Sequence, residues 1–264
     1  MATPSSARLA SVEIKGGLWG ADLLAALAED RTRLPADTVR ADSYGLPARA
    51  STEQAARAAW TVLTAAWEEF SDHYQHRVAT FETARYGDDR FTWETWTRHL
   101  LDQLGYQPEP TGRHGLTVDD AEPDDPADRY PISHTHHDQV PVHAVPAGAD
   151  LDRRTPGVHG ADRQSPHSLV QDYLNRTSTH LWAVLTNGRT LRLLRDNAAL
   201  SRQAYIEFDL AAIFDDGAYA DFALLWHAVH ASRFTHDDDQ PAAIHSFPTR
   251  RSSDLGRASC RERV

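Results

Sequence analysis

The chain has 264 residues, 41% of them hydrophobic and 25% charged, enough to bury the core of one large domain or two small ones. No run approaches the roughly 18 apolar residues of a membrane span, and the opening MATPSSARLASVEIKGG lacks the apolar stretch of a secretory signal, so a cytoplasmic protein with no membrane partner is expected. A net charge of -11 argues against a chain whose main task is to grip a polyanion, although a local arginine patch stays compatible with it.

In chain order, residues 18–30, LWGADLLAALAED, read as a short amphipathic helix after the Gly16-Gly17 breaker, and the Pro- and Gly-containing stretch from Arg31 to Ala50 as a connector. Ser51 and Gln54 fit a capping box at the start of the strongest helix. Its Trp60, Leu63, Trp67, Phe70 and Tyr74 fall at intervals of three and four, the stripe of a helix-packing face. A further helix runs from about Thr92 to Leu104 and buries Trp93, Trp96, Leu100, Leu101 and Leu104. Residues 107–129, rich in Asp and Pro, read as a polar linker.

Strands are expected from Tyr130 to His134 and from Val140 to Val145, the second placed at a sheet edge by Pro141. Ser165-Pro166 is a helix start, with Leu169, Val170, Tyr173 and Leu174 on the buried face. LWAVLTNGRTLRLL gives two strands joined at Asn187-Gly188, AYIEFDL gives a third, and Tyr219 to Phe234 returns to helix. The expected class is α+β: a helical unit over 1–106, then a small α/β unit over 130–235 with a mostly antiparallel sheet, followed by an acidic linker over 236–244.

From His245 the text changes character. HSFPTRRSS back-translates as CAC TCT TTC CCT ACA CGA CGC TCT TCC, whose reverse complement encodes GRASCRERV, the residues from Gly256 to Val264. An inverted DNA repeat of this kind resembles a sequencing-library adapter, so residues 245–264 are expected to be an artefact and the natural protein to continue beyond them. Cys260, the only cysteine, lies there and says nothing about redox compartment.

Few constellations carry chemistry. SHTHHDQVPVH offers His134, His136, His137, Asp138 and His143 as metal ligands, but no HExxH-type helix sets two of them on one face. Solvated hairpin histidines are the simpler reading, and no metal site is expected. A helix followed by strands with carboxylates suggests a nuclease fold in which Asp, Glu and Lys assemble a divalent metal and a water. Lys15 is the only lysine, so such a fold would be degenerate here. No Gly-rich phosphate loop, GxSxG or Cys/His nucleophile pair is present, and no catalytic or cofactor-binding residue is assigned. Arg153, Arg154, Arg163, Arg176 and Arg189, with Arg192 and Arg195, gather around the second unit as candidate DNA-phosphate contacts.

The stretch DLDRRTPGVHGADRQSPHSLVQDYLNRTSTHLWAVLTNGRTLRLLRDNAALSRQAYIEFDLAAIF, Asp150 to Phe214, resembles the N-terminal region of large bacterial restriction-modification methylases. These are the type IIG-like proteins and the methyltransferases of DISARM and BREX phage-defence systems. SPHSLVQDYLNR, the TNG hairpin followed by LRLLRDN, and RQAYIEFDL are the telling pieces, and YPISH and WETWTRHLLDQLGY fit as well. The resemblance implies S-adenosylmethionine-dependent methyl transfer to adenine N6 in DNA by an intact parent. That family's Asn-Pro-Pro-aromatic motif and cofactor glycine loop would lie downstream, so no cofactor is expected in this fragment and DNA would be held through the missing C-terminal part. In restriction enzymes of this layout the N-terminal region is a nuclease, an activity the lysine count disfavours here. The alternative is a non-enzymatic module that docks defence-system subunits or DNA.

Overall fold

The structure, a computed structural model, describes residues 10–16, 40–47, 49–80, 89–119, 128–196 and 204–234. The helix expected over 18–30 and the segments 236–244 and 245–264 lie outside the described residues.

A short strand, β1 (Val12–Lys15), comes first. Helix α1 (Thr52–Thr80) starts where the Gln54 N–H donates to the Ser51 hydroxyl at 3.4 Å. Its stripe buries Leu63, Trp67 and Phe70, with Trp60 and Tyr74 half-buried against the same cluster. Helix α2 is assembled from Asp89–Thr92, a π-helical turn Trp93–Thr97, and Arg98–Gln103. The wider turn carries Trp96, fully buried, whose indole N–H donates to the Gly188 carbonyl at 2.5 Å. Gly105 ends the helix at φ 80°, where a Cβ would come within 2.8 Å of the His230 ring.

The segment expected as a linker contains structure. β2 (Pro108–Pro110) is an edge strand, and β3 (Leu116–Thr117) pairs with β4 (Arg129–Tyr130) in a separate ribbon. The strand expected from Tyr130 to His134 is broken: Pro131 has no N–H to give, the Ile132 N–H turns back to the Tyr130 carbonyl at 2.6 Å, and the chain resumes as β5 (His134–His136). β6 (Val140–Ala144), expected at an edge, is instead interior, antiparallel to β5 on one side and parallel to the next strand in the sheet on the other. Pro141 is tolerated because the parallel ladder begins only at Val142, so no N–H is required of it on that side.

Helix α3 (Pro166–Arg176) is capped by Ser165, whose hydroxyl accepts from the Ser168 N–H at 3.2 Å. β7 (Trp182–Thr186) and β8 (Thr190–Arg195) form the expected hairpin, its turn centred on Gly188 and Arg189 with Gly188 at φ 79°. The Asn187 side chain accepts from the Arg189 and Thr190 N–H groups at 3.0 and 2.8 Å, closing the loop. β9 (Tyr205–Asp209) leads into α4 (Leu210–Asp215), capped by Asp209, and α5 (Tyr219–Val229) follows.

The seven-stranded sheet runs β1-β9-β8-β7-β6-β5-β2, antiparallel except where α3 crosses over between β6 and β7. The fold is α+β with a mostly antiparallel mixed sheet. On one face α1, α2, α4 and α5 pack against Val140, Val142, Trp182, Val184, Leu191, Leu193, Ile206 and Phe208. On the other, Leu169, Val170, Tyr173 and Leu174 of α3 pack on Ala183, Leu185, Leu194 and Tyr205. Each such aliphatic or aromatic side chain contributes about 1.5–3 kcal/mol relative to exposure. Covered on both sides, β7 is buried along its whole length. The helices of the first hundred residues and the sheet share one core, so the boundaries at 106 and 130 do not separate two cores.

Candidate functional site

The candidate arginines go to different places. Arg153 is exposed and reaches Asp150 at 3.7 Å, and Arg154 is exposed beside it. Arg189, on the β7–β8 turn, sits over the Tyr74 ring at 5.2 Å on the helical side of the sheet. Arg195 lies over Trp182 at 5.4 Å, and Arg192 is buried. Only Arg163 and Arg176 come together, in a groove of about 850 Å³ on the α3 side of the molecule.

Three walls make that groove: the ribbon of β3 and β4 with the turn before it, the loop over 157–164, and α3. The ribbon brings Arg113 and Arg129, which no sequence signal marks because they fall in the polar stretch expected as a linker. Arg176 donates to the Tyr130 hydroxyl at 2.9 Å and to the Asp128 carboxylate, both of which hold it above its ordinary pKa. Tyr130 in turn donates to Asp172 at 2.6 Å. Asp162 accepts from the Gly157 N–H at 2.8 Å. Both carboxylates of the groove therefore have donors from its own walls. Arg113 and Arg163 are exposed and have no partner among the described residues.

The loop wall is fixed from below. His143, buried on β6, accepts the Ser133 N–H at Nδ1 (3.3 Å), which leaves Nε2 to donate to the Gly160 carbonyl at 3.1 Å. Burial pushes its pKa down to about 4. Gly160 stands at φ 77° with a Cβ position only 2.3 Å from the His143 ring, so only glycine lets the loop sit this close.

A second constellation lies on the same face of the sheet, around a guanidinium that is 5% exposed. Arg192 on β8 donates both terminal nitrogens to Asp152 at 2.7 Å and its Nε to Glu207 on β9. Its Cζ lies 4.6 Å over the Tyr205 ring, and Nη1 is 3.3 Å from His167 Nδ1. Arg192 hydrogen bonds lead the forces that hold the Asp152 carboxyl below its usual range. His167 is 2% exposed, pushed down to about 4 by burial, and its Nε2 has no hydrogen-bond partner among the described residues. Lys15, over Tyr205 at 5.2 Å, stands at the edge of this cluster.

The histidines of SHTHHDQVPVH do not converge. His134 stacks on Trp93 with centroids 3.9 Å apart, His136 accepts from the Gln107 N–H at 2.9 Å, and His143 holds Gly160. Burial pushes His134 and His136 down to about 4, as it does His143. Among the described residues no group of three or more His, Cys, Asp or Glu side chains could hold a metal, and no helix is long and apolar enough to cross a membrane. Compared with protein-family models, curated proteins and solved structures, the chain finds no match.

Proposed function

We propose that the chain is the non-catalytic N-terminal module of an S-adenosylmethionine-dependent DNA adenine-N6 methyltransferase of a bacterial restriction-modification or phage-defence system, acting in the cytoplasm. One observation carries the reading. The separate sequence blocks on which the resemblance rests each send one residue to the same cluster around the buried Arg192: Asp152 from DLDRR, His167 from SPHSL, Arg192 itself from LRLLRDN and Glu207 from YIEFDL. A buried guanidinium is costly to desolvate and is held by the partners that take its donors, here Asp152 and Glu207. Blocks joined in this way act as one architectural unit.

The same cluster supports the non-catalytic part of the proposal. Asp152 and Glu207 are bonded to Arg192 rather than left to bind a cation, and β5 and β6 present histidines where a metal-dependent nuclease would need carboxylates. We assign no step of methyl transfer to a residue of this chain. S-adenosylmethionine and the flipped adenine would be held by a glycine loop and an Asn-Pro-Pro-aromatic motif that these residues do not include.

The test is to amplify and sequence the source DNA from the Trp226 codon onward. The proposal expects the frame to continue into both motifs. A stop following Ala243 would overturn it and leave a docking module for defence-system subunits or DNA. The purified chain is expected to transfer no label from methyl-labelled S-adenosylmethionine to DNA and to make no magnesium-dependent cut.

A further inference from the structure

We propose that the groove beside α3 takes the phosphodiester backbone of DNA, with Arg113 and Arg163 as the phosphate-contacting residues. The preference for an anion follows from the balance of charge on the groove's walls: four guanidiniums, Arg113, Arg129, Arg163 and Arg176, against two carboxylates, Asp162 and Asp172. Arg176 is bonded to Tyr130 and Asp128. Arg113 and Arg163, from different walls, are left with no partner for their donors among the described residues. A guanidinium offers five donors in a fork matched to phosphate oxygens.

The groove is open and its cationic side chains are spread over three walls, which suits a run of phosphates better than one enclosed phosphate group. It is also built before any ligand arrives. The Thr155 N–H bonds the Ala161 carbonyl at 2.7 Å, closing the loop on itself, and His143 ties Gly160 to the sheet. On the ribbon side, a Cβ on Gly115 would fall 1.8 Å from the Tyr130 carbonyl oxygen, so the turn carrying Arg113 is seated directly on β4. A rigid cradle loses little conformational entropy on binding. The choice of DNA over other polyanions rests on the methyltransferase reading, whereas the anion preference rests on the groove alone.

The experiment measures binding of a fluorescent DNA duplex to the full chain at salt concentrations from about 50 to 200 mM. The wild type is expected to bind with a marked salt dependence. Arg113→Ala/Arg163→Ala is expected to lose roughly tenfold or more in affinity and about two from the slope of log K against log salt. Arg153→Ala/Arg154→Ala, equally exposed but outside the groove, is expected to bind as wild type. Neither pair makes a buried contact, so unchanged melting curves will show that both fold. Wild-type binding by the groove variant, an equal loss in the control pair, or no binding by the wild type at low salt each overturns the proposal. So does displacement of the duplex from the wild type by equal charge concentrations of polyglutamate, which would make the groove an undiscriminating anion site. A stop codon after Ala243 would remove the methyltransferase reading and leave these binding outcomes as they stand, so the two failures are distinguishable.

Discussion

Arg192 is an arginine that lysine does not replace. Its guanidinium meets Asp152 with two bonds of 2.7 Å, turns Nε to Glu207 and sets its Cζ 4.6 Å over the Tyr205 ring, and only a planar fork does all three. Truncation takes the cation from both carboxylates; the Asp152 side chain is 53% exposed and Glu207 partly so, so water answers them in its place and the loss is that of charge-assisted hydrogen bonds, about 1.5–3 kcal/mol. Arg192→Met is therefore expected to lower the urea midpoint by a corresponding amount, with Arg192→Lys falling between it and the wild type. An Arg192→Met protein with the wild-type midpoint would show that the cluster holds nothing together. Gly160 provides a second single-residue test, because Gly157 serves as its control. Both stand at positive φ, 77° and 81°, but only at Gly160 does an added Cβ strike another side chain, 2.3 Å from the His143 ring. Gly157→Ala is expected to cost the backbone strain alone, about 1–2 kcal/mol, and Gly160→Ala distinctly more, read as the difference between their melting temperatures.

Among the elements, the β5–β6 turn is the one whose residues fit it worst. His137 and Asp138 both have positive φ, 50° and 52°, and the Gln139 N–H bonds the His136 carbonyl at 3.0 Å, the geometry of a type I′ turn that favours Asn-Gly. The turn is held by its surroundings: His180 Nε2 donates to the Asp138 carbonyl at 3.0 Å, and the Tyr173 hydroxyl fixes the other ring nitrogen at 2.8 Å. Asp138→Gly keeps that carbonyl and removes the strain, so it is expected to stabilise the protein by about 1 kcal/mol in urea denaturation. An unchanged or lower midpoint would mean the aspartate side chain contributes more than the strain costs.

Elements that announce themselves through local chemistry were legible in the sequence. Ser165-Pro166 and Ser51 with Gln54 stand where their caps require, and Asn187-Gly188 marks the hairpin, although the turn falls one residue later, on Gly188 and Arg189. The interior place of β6 was not legible, because whether a proline lacks a needed N–H depends on a neighbour that is 42 residues away in the chain: Val142 pairs Val184. The groove was half legible for a similar reason. Arg163 and Arg176 sit near a recognisable helix, whereas Arg113 and Arg129 arrive on a ribbon of two residue pairs within a stretch whose composition reads as linker.

For the whole molecule, the distribution of neutral histidines sets the response to acid. Burial is the leading cause that brings His134, His136, His143 and His167 from an ordinary 6.5 to about 4. Between those values the unfolded chain binds protons that the folded one refuses, so stability rises with pH across that window. Each histidine's contribution is complete above its unfolded pKa and is lost as pH falls toward the folded one. Asp152, held low first by its bonds to Arg192, acts in the same direction further down, below the usual carboxylate range. His143 translates this into structure, because a proton on Nδ1 would confront the Ser133 N–H and release the Gly160 loop that forms one wall of the groove. The urea midpoint is therefore expected to be level above about pH 6.5 and to fall steadily toward about pH 4. In parallel, amides of the 157–164 loop should lose hydrogen-exchange protection before those of β7, which is buried on both faces. A midpoint that held level through that window would mean that these rings take up protons without leaving their buried positions, which the packing around His143 does not allow.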